Sequence, residues 1–146
     1  MSPFHERCNN KNDTLVLIRT EFGKTIGGYT HYPWLPGNLG PINDSEKRSF
    51  IFSLDMKEKF VPTCEFNLIR SHESYGPWFG SNGNDIVIAN DCNKNRSSWC
   101  NFPSVYNRPG DKKLDKNQNS IRMFCGATDG SCFRVEEYEV FKVWHQ

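Results

Sequence analysis

Gly23-Lys24-Thr25, which leads into Ile26-Gly27-Gly28, is the stretch of this sequence that suggests phosphate chemistry. A phosphate-binding loop needs a further glycine five positions before Gly23, because its backbone N–H groups wrap the anion. Position 18 is Ile18, inside a β-branched apolar run, and no helical pattern follows Thr25. The nucleotide reading fails on that geometry. Asp91-x-Asn93-x-Asn95 opens like a calcium loop, but Arg96 stands where the sharp turn needs glycine and Phe102 where the ion needs a bidentate Glu. It reads as an Asn-rich surface turn. The cysteines (Cys8, Cys64, Cys92, Cys100, Cys125 and Cys132) include no C-x2-C pair, so no zinc knuckle is expected. His5, His31, His72 and His145 are scattered among polar neighbours and read as surface residues. No metal or cofactor is expected.

Two further features carry chemistry. Cys125 and Cys132 would face each other across a final hairpin, and with Cys100 they are the candidates for thiol or peroxide chemistry. Glu139 sits in a long terminal strand whose alternation puts it on the face of Phe133, Val135, Phe141 and Val143. An unpaired buried carboxylate costs several kcal/mol, so it would need a cation or several N–H donors. A bulge near Glu136-Glu137 would instead swap the faces and leave Glu139 in water. Both readings stand at this point.

These residues must be positioned by a fold whose class the composition bounds. A chain of 146 residues suits one domain, residues 1–146, with one core. The net charge of +1, spread along the chain, offers no field for nucleic acid or an anionic membrane. The polar start MSPFHERCNN is no secretory signal, and no apolar run is long enough to span a bilayer. The cysteines therefore read mostly as reduced thiols and the protein as cytoplasmic rather than secreted. Abundant Phe, Asn and Gly favour short strands joined by polar turns.

Ser2-Pro3 predicts a short helix with Ser2 as N-cap, and Phe4 and Cys8 would share a face. Thr14–Thr20 and Thr25–His31 predict a hairpin, and Leu35–Lys47 a loop. In Ser49–Leu54 the face of Phe50, Phe52 and Leu54 is expected to be the buried one. Phe66–Arg70 and Asp85–Ala89 follow as strands, separated by Tyr75–Gly80 and a polar turn. Asn90–Asn107 is irregular and folds back through Trp99, Phe102 and Tyr106, and Arg108–Asn119 is a polar loop. Ile121–Cys125, a turn at Asp129-Gly130, and Cys132–Val143 close the chain as a hairpin. The expected class is mainly β with minor α, an antiparallel two-sheet β-sandwich with one or a few short helices. The glycine pair then has a structural use, since positions without Cβ let a ring approach the sheet, with Trp34 as its cover.

In their order and spacing, several segments together resemble a TLDc domain. They are TLVLI from Thr14, FGKTIGGYT from Phe22 with Trp34, SFIFSL from Ser49, GPWFG from Gly76 before Asp85-Ile86-Val87-Ile88, and FRVEEYEVF from Phe133. The resemblance implies a two-sheet sandwich, protection against oxidative damage, and binding to the vacuolar proton-pumping ATPase, with no well-established enzymatic activity. It carries over Glu139, the pair Gly27 and Gly28, Trp34, and a glycine-bearing turn at Gly76 and Gly80. It also implies that an upstream helical part of the family domain is missing, so the chain reads as a shortened or fragmentary member. The expected function is a non-catalytic protein-binding module that can lie peripheral to organelle membranes. The alternatives are an architectural subunit of a cytoskeletal or ciliary assembly, held by Leu35–Lys47 and Asn90–Asn119, and a thiol/peroxide enzyme.

Overall fold

The computed structural model describes residues 2–38 and 40–145. Ser2 caps helix α1 (Pro3–Cys8) by accepting from the His5 N–H, with proline at the start, and the helix buries Phe4 and Cys8 as their spacing requires. It also buries His5, contrary to the surface role expected for it. The ring nitrogen Nε2 lies 2.8 Å from the His72 carbonyl and 2.7 Å from that of Tyr75.

Twelve strands follow among the described residues: β1 (Thr14–Thr20), β2 (Thr25–Thr30), β3 (Gly40–Ile42), β4 (Phe50–Ser53), β5 (Glu58–Pro62), β6 (Ile69–Ser71), β7 (Tyr75–Phe79), β8 (Ile86–Ala89), β9 (Ser98–Trp99), β10 (Tyr106–Asn107), β11 (Cys132–Phe133) and β12 (Val135–Lys142). Helix α2 (Gln118–Cys125) precedes β11. The strands form two antiparallel six-stranded sheets, ordered β10-β5-β4-β2-β1-β12 and β11-β9-β8-β7-β6-β3. The sandwich is the class expected from composition. Alternate residues of the first sheet, Val16, Ile18, Ile26, Ile51 and Phe60, meet Ile69, Phe79, Ile86 and Ile88 of the second in one core. β8 is buried along its whole length, whereas β1 alternates.

Four expectations are corrected. Ile121–Cys125 is the end of a helix, not a strand: Asn117 caps it by accepting from the Ser120 N–H, and Gly126 at φ +95° ends it. Tyr75–Gly80 is mostly strand β7, with a bulge around Gly76-Pro77. Within Leu35–Lys47, β3 pairs with β6. In β4 the inward residues are Ile51 and Ser53, while Phe50 and Phe52 face outward and Leu54 is 54% exposed. The register explains this last reversal, because Ile51 pairs with Gly28, the β2 residue that faces the core.

Candidate functional site

The glycine pair splits between the two faces of the first sheet. Phe79 from the opposite sheet fills the space above Gly28, and Phe52 lies over Gly27 on the outer face. Trp34 is not their cover. Its ring packs edge-on against Phe79 at 5.7 Å and against Phe4 at 5.4 Å, and its indole N–H donates to Thr14 Oγ1. Gly76 lies inside β7 with Phe4 and Tyr138 packed above it, so it belongs to the core rather than to a turn.

Gly80, at φ +78°, ends β7 and leaves room for the Asp85 carboxylate, which a Cβ at that position would strike. Asp85 is completely buried and accepts from the backbone N–H groups of Ser104, Val105 and Tyr106 at 2.8, 2.8 and 3.2 Å. Burial pushes its carboxyl up to about 7, against the pull of those donors. Asp85 thus fastens the irregular Asn90–Asn107 segment to the sandwich. It was not singled out from sequence, where it reads as the polar start of a strand.

The thiols do not assemble as expected. Cys132 is exposed, opposite Trp99 in β9, while Cys125 is buried at the end of α2. Cys125 instead meets Cys100, beside the stacked rings of Phe102 and Phe124 at 4.3 Å. Burial pushes the Cys100 thiol well up, and the neighbouring Cys125 sulfur adds to the effect. A protonated, enclosed thiol is a poor nucleophile. In native protein Cys132 is expected to react first with a maleimide and Cys64 more slowly. Cys100 and Cys125 should react only on global unfolding. Mass spectrometry of timed labelling checks this order; early modification of Cys100 would restore it as a redox candidate.

Glu139 is exposed, because β12 carries the bulge. Arg19 pairs with Glu137 and Thr20 with Val135, so Glu136 is the extra residue and the faces exchange there. Tyr138 and Val140 turn inward, and Glu139 turns out. Glu139 begins a row across the outer sheet face that continues through Leu17, Gly27, Phe52 and Lys59. The next row runs Phe141, Leu15, Tyr29 and Phe50, with Tyr29 stacked on Phe50 at 5.3 Å. No side-chain partner holds Glu139 among the described residues, so Glu139→Ala is expected to change stability by under about 0.5 kcal/mol in urea titration.

On the other side of β12 an open groove of about 720 Å³ runs between this strand and α1. Phe4, Cys8 and Val140 contribute apolar walls; Arg7, Lys11 and Lys142 bring positive charge, and Glu139 stands at its rim. Trp144, 82% exposed, also lines it, and its ring lies 5.5 Å below the Lys142 ammonium. The chain here is fixed by Val143 N–H donating to the Asp13 carbonyl and by Lys142 donating to Asn12. Burial by itself would raise the Asp13 carboxyl, but hydrogen bonds from Tyr29, His31 and His145 outweigh it and hold it low. Among the described residues β12 has no second neighbour in its sheet. The cations of this groove come from two stretches at opposite ends of the chain, Arg7 and Lys11 in one and Lys142 in the other, and nothing local in the sequence links the two.

No group of three or more His, Cys, Asp or Glu side chains able to hold a metal comes together among the described residues. The chain matches none of the curated proteins compared with it. A family model, the TLDc domain, matches residues 1–144, with the β-sandwich, the glycine pair and the terminal β12 all inside the matched span. The chain therefore belongs to the TLDc domain family.

Proposed function

We propose that this domain is a non-catalytic protein-binding module whose docking surface is the free edge of β12 with the groove beside it. The observation that supports it is an unpaired strand edge next to an open groove, with Trp144 almost fully in solvent. Exposed strand edges in native proteins are normally covered, broken or charged, because they invite pairing. Tryptophan on a surface is also the residue type most often found to dominate binding energy. The vacuolar proton-pumping ATPase is the partner that the family suggests, and protection against oxidative damage is the role that goes with it. No helix among the described residues is long and apolar enough to cross a membrane.

Affinity capture of the native protein tests this reading. A partner is expected that Trp144→Ala releases, with a loss of about tenfold or more in affinity and an unchanged melting temperature. Retention of the same partner by the Trp144→Ala variant would remove the β12 edge from the function. The outer aromatic face supports a second reading, an architectural subunit held within a larger assembly. Co-sedimentation with a stable cytoskeletal structure, lost on Phe50→Ser but not on Trp144→Ala, would favour it.

A further inference from the structure

We infer that the β12 edge accepts one more strand: an extended segment of a partner protein with acidic residues on the side facing α1 and basic residues on the alternate side. This rests on the reading of the domain as a protein-binding module and names the chemistry of its partner. From Glu137 to Lys142 the strand pairs regularly with β1, the bulge lying before it, so its other edge offers an uninterrupted ladder of backbone donors and acceptors. In strand addition the main chain supplies affinity and alternate side chains supply specificity, because successive residues point to opposite faces. The two faces beside this edge differ in charge. On the α1 side stand Arg7, Lys11 and Lys142, three cations against the single carboxylate of Glu139 at the rim. On the outer side stand Glu137 and Glu139, both exposed, with Arg19 of β1 opposite Glu137 and no cation opposite Glu139, whose neighbour is Leu17.

The groove runs along β12 on its α1 side, so the alternate side chains of an added strand that point to that side are the ones placed to reach it. Its apolar walls between the cations suit the methylene stem of a glutamate better than a bare phosphate. The pattern required of the partner is therefore alternation of acid and base, which composition alone does not produce.

The full chain, isotope-labelled for amide NMR, should be titrated with short capped peptides of alternating Glu and Lys. The control is a peptide of the same composition written as one block of each. The alternating peptide is expected to shift the amides of Glu137–Lys142 and Arg7–Lys11. N-methylation of alternate residues should weaken its binding by about fivefold or more, as should the double variant Arg7→Glu, Lys11→Glu. That variant changes two exposed side chains outside the core, so its melting temperature should match the parent's. Equal binding of the block peptide, unmoved β12 amides, or no binding at about 1 mM peptide would each overturn the proposal. If the peptides fail while a captured partner is still released by Trp144→Ala, strand addition falls and the binding-module reading stands. If no such partner exists, both fall.

Discussion

Asp85→Ala is expected to destabilise the domain by about 3 kcal/mol or more. The carboxylate is completely buried and accepts three backbone N–H groups from Ser104, Val105 and Tyr106. Each buried donor left without a partner costs about 1–3 kcal/mol. The loss should appear in urea unfolding as a lower midpoint with an unchanged slope, and Asn90–Asn107 should lose its amide protection first. A loss below about 1 kcal/mol would mean that water satisfies the three donors in place of the carboxylate. Asp85→Asn keeps an acceptor oxygen and should lose less.

The same pair of proteins tests the ionisation of this group. Its carboxyl is pushed up to about 7 in the native state, whereas an unfolded aspartate titrates near about 4. Between those values the native chain holds a proton that the unfolded chain has released. The contribution of Asp85 is therefore complete below about pH 4 and is lost as pH rises through about 7. Relative to Asp85→Asn, the parent should lose stability across that window. A difference independent of pH would show that the three N–H donors, not burial, set the ionisation.

Gly28→Val should be similarly damaging, at about 3 kcal/mol or more. A Cβ at Gly28 would lie 2.6 Å from Phe79 Cζ and 2.8 Å from both Cε atoms. Phe79 has no room to withdraw. Trp34 packs edge-on against it at 5.7 Å and Tyr106 at 6.5 Å, and all three rings are fully buried. Trp34 is itself tied to Thr14 by its indole N–H. Gly28→Ala should lose about 1–3 kcal/mol, and Phe79→Leu in that background should recover part of it. A double-mutant cycle measures the coupling; a value near zero would show that the glycine is needed for something other than the ring. At Gly27 an added Cβ would meet the Val16 carbonyl, which cannot rotate away as a side chain could, so the prediction extends there.

Local signals were legible where a single residue decides a local geometry. Ser2 and Pro3 mark the start of α1, and the short apolar, β-branched run Thr14–Thr20 marks β1. The family resemblance was carried by the order of such pieces, which a match over residues 1–144 supports. Helix α2 could have been read, since Ile121, Phe124 and Cys125 fall at i, i+3 and i+4 between the capping Asn117 and Gly126. A short apolar run fits the period of a strand as well as that of a helix, and with the helix at Gln118–Cys125 the pairing of Cys125 with Cys132 is lost.

By itself the sequence determined the class of fold, the hairpin of its first two strands, and the need for bare backbone at Gly27 and Gly28. Which face each strand buries was decided by the tertiary structure. Alternation records a period of two but not a direction, and the direction of β4 follows from its register with Gly28 under Phe79. One bulged residue, Glu136, likewise reverses β12 and moves Glu139 from the core side to water. The groove needed the fold altogether: Arg7, Lys11 and Lys142 lie at opposite ends of the chain, and only the packing of α1 beside a sheet-edge strand brings their charges together.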